Sequence, residues 1–373
     1  MKINSIEPTP SPNTMKVILN QELPAGKSNN YKKSDSDQAP ELIKNVLLIE
    51  GVKGVYHVAD FLAVERNAKF DWKEILPKVR AVFGEETGEG DRSDHPREGF
   101  GEIKVFIQMF NGIPMQVKLT DQETEKRYGL SERFQKSIME LQKNAENVVL
   151  DRHWKEQGVR YGDYDDVGRE VVEEIEAAYH EDRLTKLVKN ASTKEKGEKV
   201  TPRSPYEVTL DMMQDPEWKN RYAHLEQMNP SEKDIPVLEK ALEDSKASIR
   251  RLATVYLGMI ETDSVLPYLY KALEDKSVTV RRTAGDCLSD LGNPKAIPVM
   301  KESLKDPNKL VRWRAAMFLY EVGDDTALPA LKDAENDPEF EVSLQIKMAV
   351  ERIEGGEEAK GSVWKQMTEN RNN

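Results

Sequence analysis

The chain carries one cysteine, Cys287, among 373 residues, so an internal disulfide is excluded and a reducing compartment suits it. Long apolar runs are missing as well. The runs present, such as "VLLI" at 46–49, fall far short of the ~20 residues that span a bilayer. The opening residues "MKINSIEPTP" lack the apolar core of a secretory signal. A cytoplasmic protein is therefore expected, and the sequon at Asn190–Ser192 reads as a chance match. Positive charge is in deficit, with 55 Lys and Arg against 67 Asp and Glu, a net charge of -12. Such a chain repels nucleic acid and anionic membranes, so neither is expected as a partner. His-x-x-x-His, Gly-x-Ser-x-Gly, a phosphate loop and a dinucleotide fingerprint are all absent from the sequence. The expectation is a non-enzyme with no catalytic residues, no metal site and no cofactor. At ~100–200 residues per domain, the length allows two or three units with real cores.

What is present most clearly is a repeat. Pro236, Pro267, Pro298 and Pro329 stand 31 residues apart. Asp244, Asp275, Asp306 and Asp337 keep the same step, as do Ile249, Val280, Val311 and Val342. Each unit reads as a helix pair, with proline in the first turn of the first helix, where a missing N–H costs nothing. The second helix is amphipathic: Val280, Ala284, Cys287, Leu288 and Leu291 share one face. One pair cannot bury that face alone, so the pairs are predicted to stack as a right-handed α-solenoid over 234–356. The pattern resembles the short HEAT-like repeat of phycobilisome-lyase scaffolds. A degenerate earlier unit is predicted from Pro205, with Trp218 in the Ile249 column, and Val363, Trp364 and Met367 could cap the array.

Arginine falls six residues after the aspartates, at Arg250, Arg281 and Arg312, while the fourth unit has Ser343 there. Asp244, Asp275 and Asp306 with these arginines read as a structural ladder between units. Arg251, Arg282, Trp313 and Arg314 lie beyond the ladder position and are the candidate exposed, partner-binding residues. The four units hold 22 acidic and 17 basic residues, a poor footprint for nucleic acid. Cys287, between Ala284 and Leu291, reads as a buried structural thiol.

The segment "EPTPSPNTMK" at 7–16 places Pro8, Pro10 and Pro12 at alternate positions. These hold Glu7, Thr9 and Ser11 extended and delete every second backbone donor, which restricts the segment to a sheet edge or an arm. "MKVIL" then reads as a strand and "APELIKNVLLIEG" as a helix from Pro40 to Gly51. "VKGVYHV" and "FLAVERN" read as a hairpin about Ala59–Asp60, and "DWKEILPKVRAVFG" as a helix capped by Asp71. The result is a ββαββα sandwich over 1–84. Its Pro-rich start, hairpin and Trp-containing helix closely resemble the N-terminal domain of Nfu/NifU-type scaffold proteins. That family usually adds a Cys-x-x-Cys domain holding an iron–sulfur cluster, and one cysteine cannot supply those ligands. The resemblance implies the partner-facing half of a scaffold without the cluster-carrying half. His57 reads as a half-buried strand residue.

Residues 85–101 read as a polar linker, followed by a second α+β domain over 102–190. Asn111–Gly112 between "IKVFIQMF" and "IPMQVKL" marks a hairpin. "LSERFQKSIMELQKN" reads as a helix capped by Ser131, "ENVVLDRHWKEQGVRYG" as one or two strands, and "DDVGREVVEEIEAAYHEDRLTKLVKNA" as one long acidic helix. His153, Trp154, Arg160 and Tyr161 read as a solvated strand with ordinary cross-strand pairs. Residues 191–233 hold a linker and the degenerate repeat, and 357–373 form a polar tail.

The fold class expected is an α+β N-terminal half of two small α/β sandwich units, followed by an all-α HEAT-like solenoid. In that order the units resemble the conserved virulence factor C family of Gram-positive bacteria, which implies a link to virulence regulation. Three functions stay open. One is a cytoplasmic scaffold or adaptor that binds proteins through the Nfu-like domain and the repeat surface. Another is an accessory factor in iron–sulfur assembly that recruits assembly proteins as partners while holding no cluster. The last is an enzyme or nucleic-acid reader using the repeat groove. The missing motifs favour the first.

Overall fold

The computed structural model describes residues 1–9, 11–24, 28–84, 102–121, 124–142, 152–193 and 206–356. Pro10, the linker, residues 143–151, Pro205 and the tail residues Val363, Trp364 and Met367 lie outside the described residues.

The first module comprises β1 (Ile3–Pro8), β2 (Thr14–Leu19), β3 (Ser28–Lys32), α1 (Glu41–Leu47), β4 (Val52–Val58), β5 (Phe61–Arg66) and α2 (Trp72–Val82). Its antiparallel sheet has the order β1-β2-β5-β4-β3. Alternation along β2 buries Met15, Val17 and Leu19, and leaves Thr14, Lys16 and Ile18 partly exposed on the other side. Ile43, Val46 and Leu47 of α1 and Trp72, Ile75 and Val79 of α2 complete the core. At about 1.5–3 kcal/mol per fully buried aliphatic side chain, this cluster holds helices to sheet.

Asp71 caps α2 as expected, accepting from the Lys73 N–H at 2.9 Å. The ββαββα expectation misses β3. That strand, "SNNYK", lies at the sheet edge opposite β1 and is mostly exposed, so it has no apolar alternation to read.

The Pro-rich segment has a precise use in the sheet. β1 is an edge strand on β2, with Pro8 opposite Met15. In the turn that follows, the Thr9 hydroxyl bonds the Ser11 and Thr14 carbonyls and accepts from the Ser11 N–H. The Pro12 carbonyl accepts from the Trp72 indole at 2.9 Å. Side chains thus tie down a turn from which proline has removed backbone donors.

The second module comprises β6 (Glu102–Phe110), β7 (Ile113–Thr120), β8 (Glu125–Gly129), α3 (Glu132–Gln142), β9 (Arg152–Tyr161), α4 (Tyr164–Ala178) and α5 (Glu181–Thr193). Its antiparallel sheet runs β8-β7-β6-β9. Asn111 (φ 47) and Gly112 (φ 83) are both left-handed, as the two-residue hairpin turn requires. Here again the missed strand, β8 ("EKRYG"), is a polar edge. Ser131 does not cap α3: its hydroxyl makes no hydrogen bond, and its N–H bonds Glu176. The long acidic helix is two helices, because Arg183 bonds the Ala178 carbonyl and lies over the Tyr179 ring, ending α4 there. Glu181 and Asp182 then favour a fresh N-terminus.

The remaining elements are α6 (Trp218–Leu225), α7 (Ile235–Ala241), α8 (Ala247–Ile260), α9 (Leu266–Leu273), α10 (Val278–Leu291), α11 (Ile297–Ser303), α12 (Lys309–Val322), α13 (Leu328–Asp333) and α14 (Phe340–Glu354). From α7 onward they alternate as the sequence predicts. The repeat prolines sit at the start of α7, α9, α11 and α13. Ile249, Val280, Val311 and Val342 are buried core. No helix among the described residues is long and apolar enough to cross a membrane.

The chain divides into two compact units, Met1–Phe100 with Leu288–Asn373, and Gly101–Cys287. Each unit therefore joins one α+β module to part of the helical array.

Cys287 is half-buried rather than buried, its sulfur 3.5 Å from the Thr254 carbonyl. It occupies the space left by Gly258 on α8: a Cβ there would stand 2.5 Å from the sulfur and 2.8 Å from the Cys287 Cβ. Gly258→Ala should lower stability by about 1–3 kcal/mol through overpacking, and Cys287→Ala in the same chain should recover most of the loss. Thermal melts of the single and double variants read this out; equal melts for both would mean the two positions do not couple.

Candidate partner-binding surfaces

Within the repeats, arginine and aspartate form a repeated bidentate contact. Arg250 reaches Asp275 at 2.6 and 2.9 Å, and Arg312 reaches Asp337 at 2.6 and 3.1 Å. Each guanidinium also donates to the carbonyl of the aspartate six residues earlier, and so does Arg281 to Asp275. Burial alone would raise the Asp275 carboxyl, but the Arg250 hydrogen bonds and charge hold it below its ordinary value. Ser343 of the last unit instead bonds the Glu335 carbonyl.

The degenerate unit continues this pattern with a different residue from the one expected. Arg221 grips Asp244 at 2.6 and 2.9 Å and donates to the Asp215 carbonyl. Arginine and aspartate are 23 residues apart here, against 25 in the other two steps. The unit is therefore two residues out of register with a 31-residue frame. Trp218 stays half-buried beneath Lys246, its ring 4.4 Å from the Lys246 ammonium, and does not join the Ile249 column.

The four candidate exposed residues are not exposed. Arg251 reaches Glu174 of α4 at 3.3 Å, where Arg160 of β9 meets the same carboxylate at 2.8 Å. Burial opposes ionisation of Glu174, but the two guanidinia outweigh it and hold its carboxyl below the ordinary range. Arg282 is 4% exposed, pairs with Asp286, and lies over the Tyr161 ring at 4.6 Å. Trp313 is 2% exposed, and Arg314 is buried beside it. One repeat after Trp313, Leu344 packs against the first module's core. The position after the ladder is thus a docking face, but Arg251, Arg282 and Leu344 dock the chain's own α+β modules. A surface role fails because their partners are supplied from within the fold.

The strand cluster divides in two. Arg160 and Tyr161 belong to this internal docking face. His153 is exposed, and Trp154 lies half-buried under the ammonium of Lys118 (4.4 Å) and the guanidinium of Arg127 (5.7 Å). His57 is buried on the core side of β4, its Nε2 without a hydrogen bond, and burial lowers its basicity.

Among the described residues, the far side of the first sheet carries partly exposed apolar side chains. Ile18 lies opposite Phe61, Phe61 opposite Val58, and Ala63 opposite both Lys16 and Tyr56. Tyr56 is 40% exposed, and Ile18, Val58, Phe61 and Ala63 are all partly exposed. Lys16 crosses this face between Glu7 (3.2 Å) and the Phe61 ring (4.8 Å). A contiguous apolar patch rimmed by charge is the chemistry of a protein-binding surface. The alternation of β2, β4 and β5 could have exposed it in the sequence, since the outward positions Ile18, Tyr56, Val58, Phe61 and Ala63 are apolar or aromatic as well.

Comparison with known proteins gives three family models. Residues 3–90 match "Scaffold protein Nfu/NifU N terminal", 108–188 match "Virulence factor", and 206–284 and 267–351 match "HEAT repeats". A Bacillus subtilis (strain 168) protein, YpgR, is 70% identical over 376 residues, covering 100% of this chain and 99% of its own. Conserved virulence factor C of Staphylococcus aureus (strain MRSA252) is 52% identical over 373 residues, covering 99% of each. Among solved structures, Staphylococcus aureus protein SAV1430 is 44% identical over 22% of this chain and 99% of its own, with a TM-score of 0.21. Relatives this similar along the whole length place the chain in the conserved virulence factor C family, built from an Nfu-like module, a virulence-factor module and HEAT repeats.

Proposed function

We propose that the chain is a non-enzymatic cytoplasmic scaffold that binds a protein partner through the open face of its first sheet. The observation that carries this reading is the run Ile18, Phe61, Val58, Ala63 and Tyr56 on that face. Within each compact unit the repeat helices pack on that unit's own α+β module, through Arg251 and Arg282 in one and Phe340, Glu341 and Leu344 in the other. The lone half-buried thiol keeps the cytoplasmic expectation. The match of residues 3–90 to an Nfu/NifU scaffold model favours a second reading, accessory work in iron–sulfur assembly through the same face.

Phe61→Asp and Tyr56→Ala should each weaken capture of partners from cell lysate tenfold or more, while the melting temperature moves little. Aromatic anchors of an interface commonly carry 2 kcal/mol or more. Iron–sulfur assembly proteins among the lost partners would select the second reading. Capture undiminished by both substitutions would refute the assigned face.

A further inference from the structure

The corner of the first module where the Pro-rich turn meets Arg66 and Trp72 is built around a buried cation. Arg66 is 1% exposed. Its Nε donates to Asn13 at 3.4 Å, its Nη1 donates to the Phe70 carbonyl at 2.8 Å, and the guanidinium lies 5.2 Å from the Trp72 ring centroid. The turn is held in place by Trp72 on Pro12 and by the Arg66 N–H on the Asn13 carbonyl. A buried cation preorganised by three such contacts needs an anion.

The anion comes from the last repeat. Glu341 at the start of α14 meets Arg66 Nη1 at 2.6 Å, and both side chains are buried. Phe340 and Leu344, on either side of it, pack against the module's core. Glu341 is foreign to its own repeat column, where the earlier units carry Ser248, Thr279 and Leu310. The repeat itself does not require a carboxylate there. The contact is also poorly optimised for stability, because Arg66 Nη2 has no hydrogen bond and burial disfavours its charge. A buried ion pair of this kind adds little net stability over a well-packed apolar contact. Opening it returns both ions to water.

We propose that this corner recognises a helix of the pattern Phe-Glu-x-x-Leu and is held closed in cis by α14, so that a partner protein's helix of that pattern competes for it. The apolar pair supplies area and the glutamate sets register against Arg66. Tethering gives the cis helix an effective concentration on the order of millimolar, so a free helix of micromolar affinity meets a closed corner. The open sheet face and this corner are separate sites, and either can fail alone.

The test is binding of a stapled, fluorescent peptide reproducing residues 338–355 to the full-length chain. Glu341→Lys should open the corner and raise peptide affinity at least tenfold over the unsubstituted chain. Arg66→Ala added to Glu341→Lys should abolish that gain, and a peptide carrying Lys at the glutamate should not bind. If Glu341→Lys does not fold, Glu341→Gln, which keeps shape and removes charge, should still raise affinity severalfold. No gain in either variant, or a gain that survives Arg66→Ala, overturns the proposal. Concentration-dependent dimerisation of the unsubstituted chain, abolished by Arg66→Ala, would assign the corner to a second copy and overturn it as well.

Discussion

Glu174→Ala should cost about 3–5 kcal/mol, the usual effect of leaving buried charges without their counterion. Two guanidinia, Arg160 and Arg251, converge on this one carboxylate, so its removal leaves two buried cations with only Glu170, 3.6 Å from Arg160, to offset them. For a cooperative unit of 150–250 residues that is a fall in melting temperature of roughly 6–20 °C. Glu174→Gln should cost nearly as much, since an amide cannot neutralise two arginines. The pH dependence follows from the direction of the shift. The folded Glu174 carboxyl lies below its ordinary value of 4.5, so its stabilisation is complete above that pH and is lost as pH falls through the lower folded value. Glu170, raised by burial, acts in the opposite sense. The gap between the unsubstituted chain and Glu174→Gln should therefore be widest near neutrality and shrink towards pH 3. A gap unchanged across that range would mean the carboxylate is not held by the arginines.

Trp313→Ala should be the second large effect, at about 3–5 kcal/mol, because it empties the space of one of the largest fully buried side chains of the protein. Trp313→Phe, which keeps an aromatic body, should cost less. Were Trp313 an exposed anchor, as its position after the ladder first suggests, the alanine variant would melt normally and lose a partner. Early melting with peptide and partner binding otherwise intact is the expected result, read by thermal denaturation alongside pull-down.

The misassignment of Trp313 and its neighbours shows what a sequence can and cannot carry. The repeat was legible because one backbone geometry, used several times, demands proline, aspartate and a β-branched core residue at fixed steps. The N-terminal core was legible because β2, β4 and β5 alternate and Asp71 announces α2. Strands β3 and β8 were not, since an edge strand exposed on both faces has no alternation. The burial of Arg251 and Arg282 depends on Glu174 and Tyr161, which lie 77 and 121 residues away in the chain. No local pattern encodes such a partner. Glu341 is the exception: an acid in a Ser, Thr, Leu column is a visible anomaly, and it marks a contact made 275 residues away by Arg66. The open sheet face was legible in principle, but it competed with the more conspicuous arginine columns.

Site-specific photo-crosslinking in living cells tests most directly whether the proposed face of the first sheet meets a partner. A photoreactive phenylalanine analogue at position 61 should give a discrete heavier band containing a second protein, while the same analogue at position 282 should crosslink only within the chain. A partner band from position 282 with none from position 61 would contradict the account, returning the binding surface to the repeats.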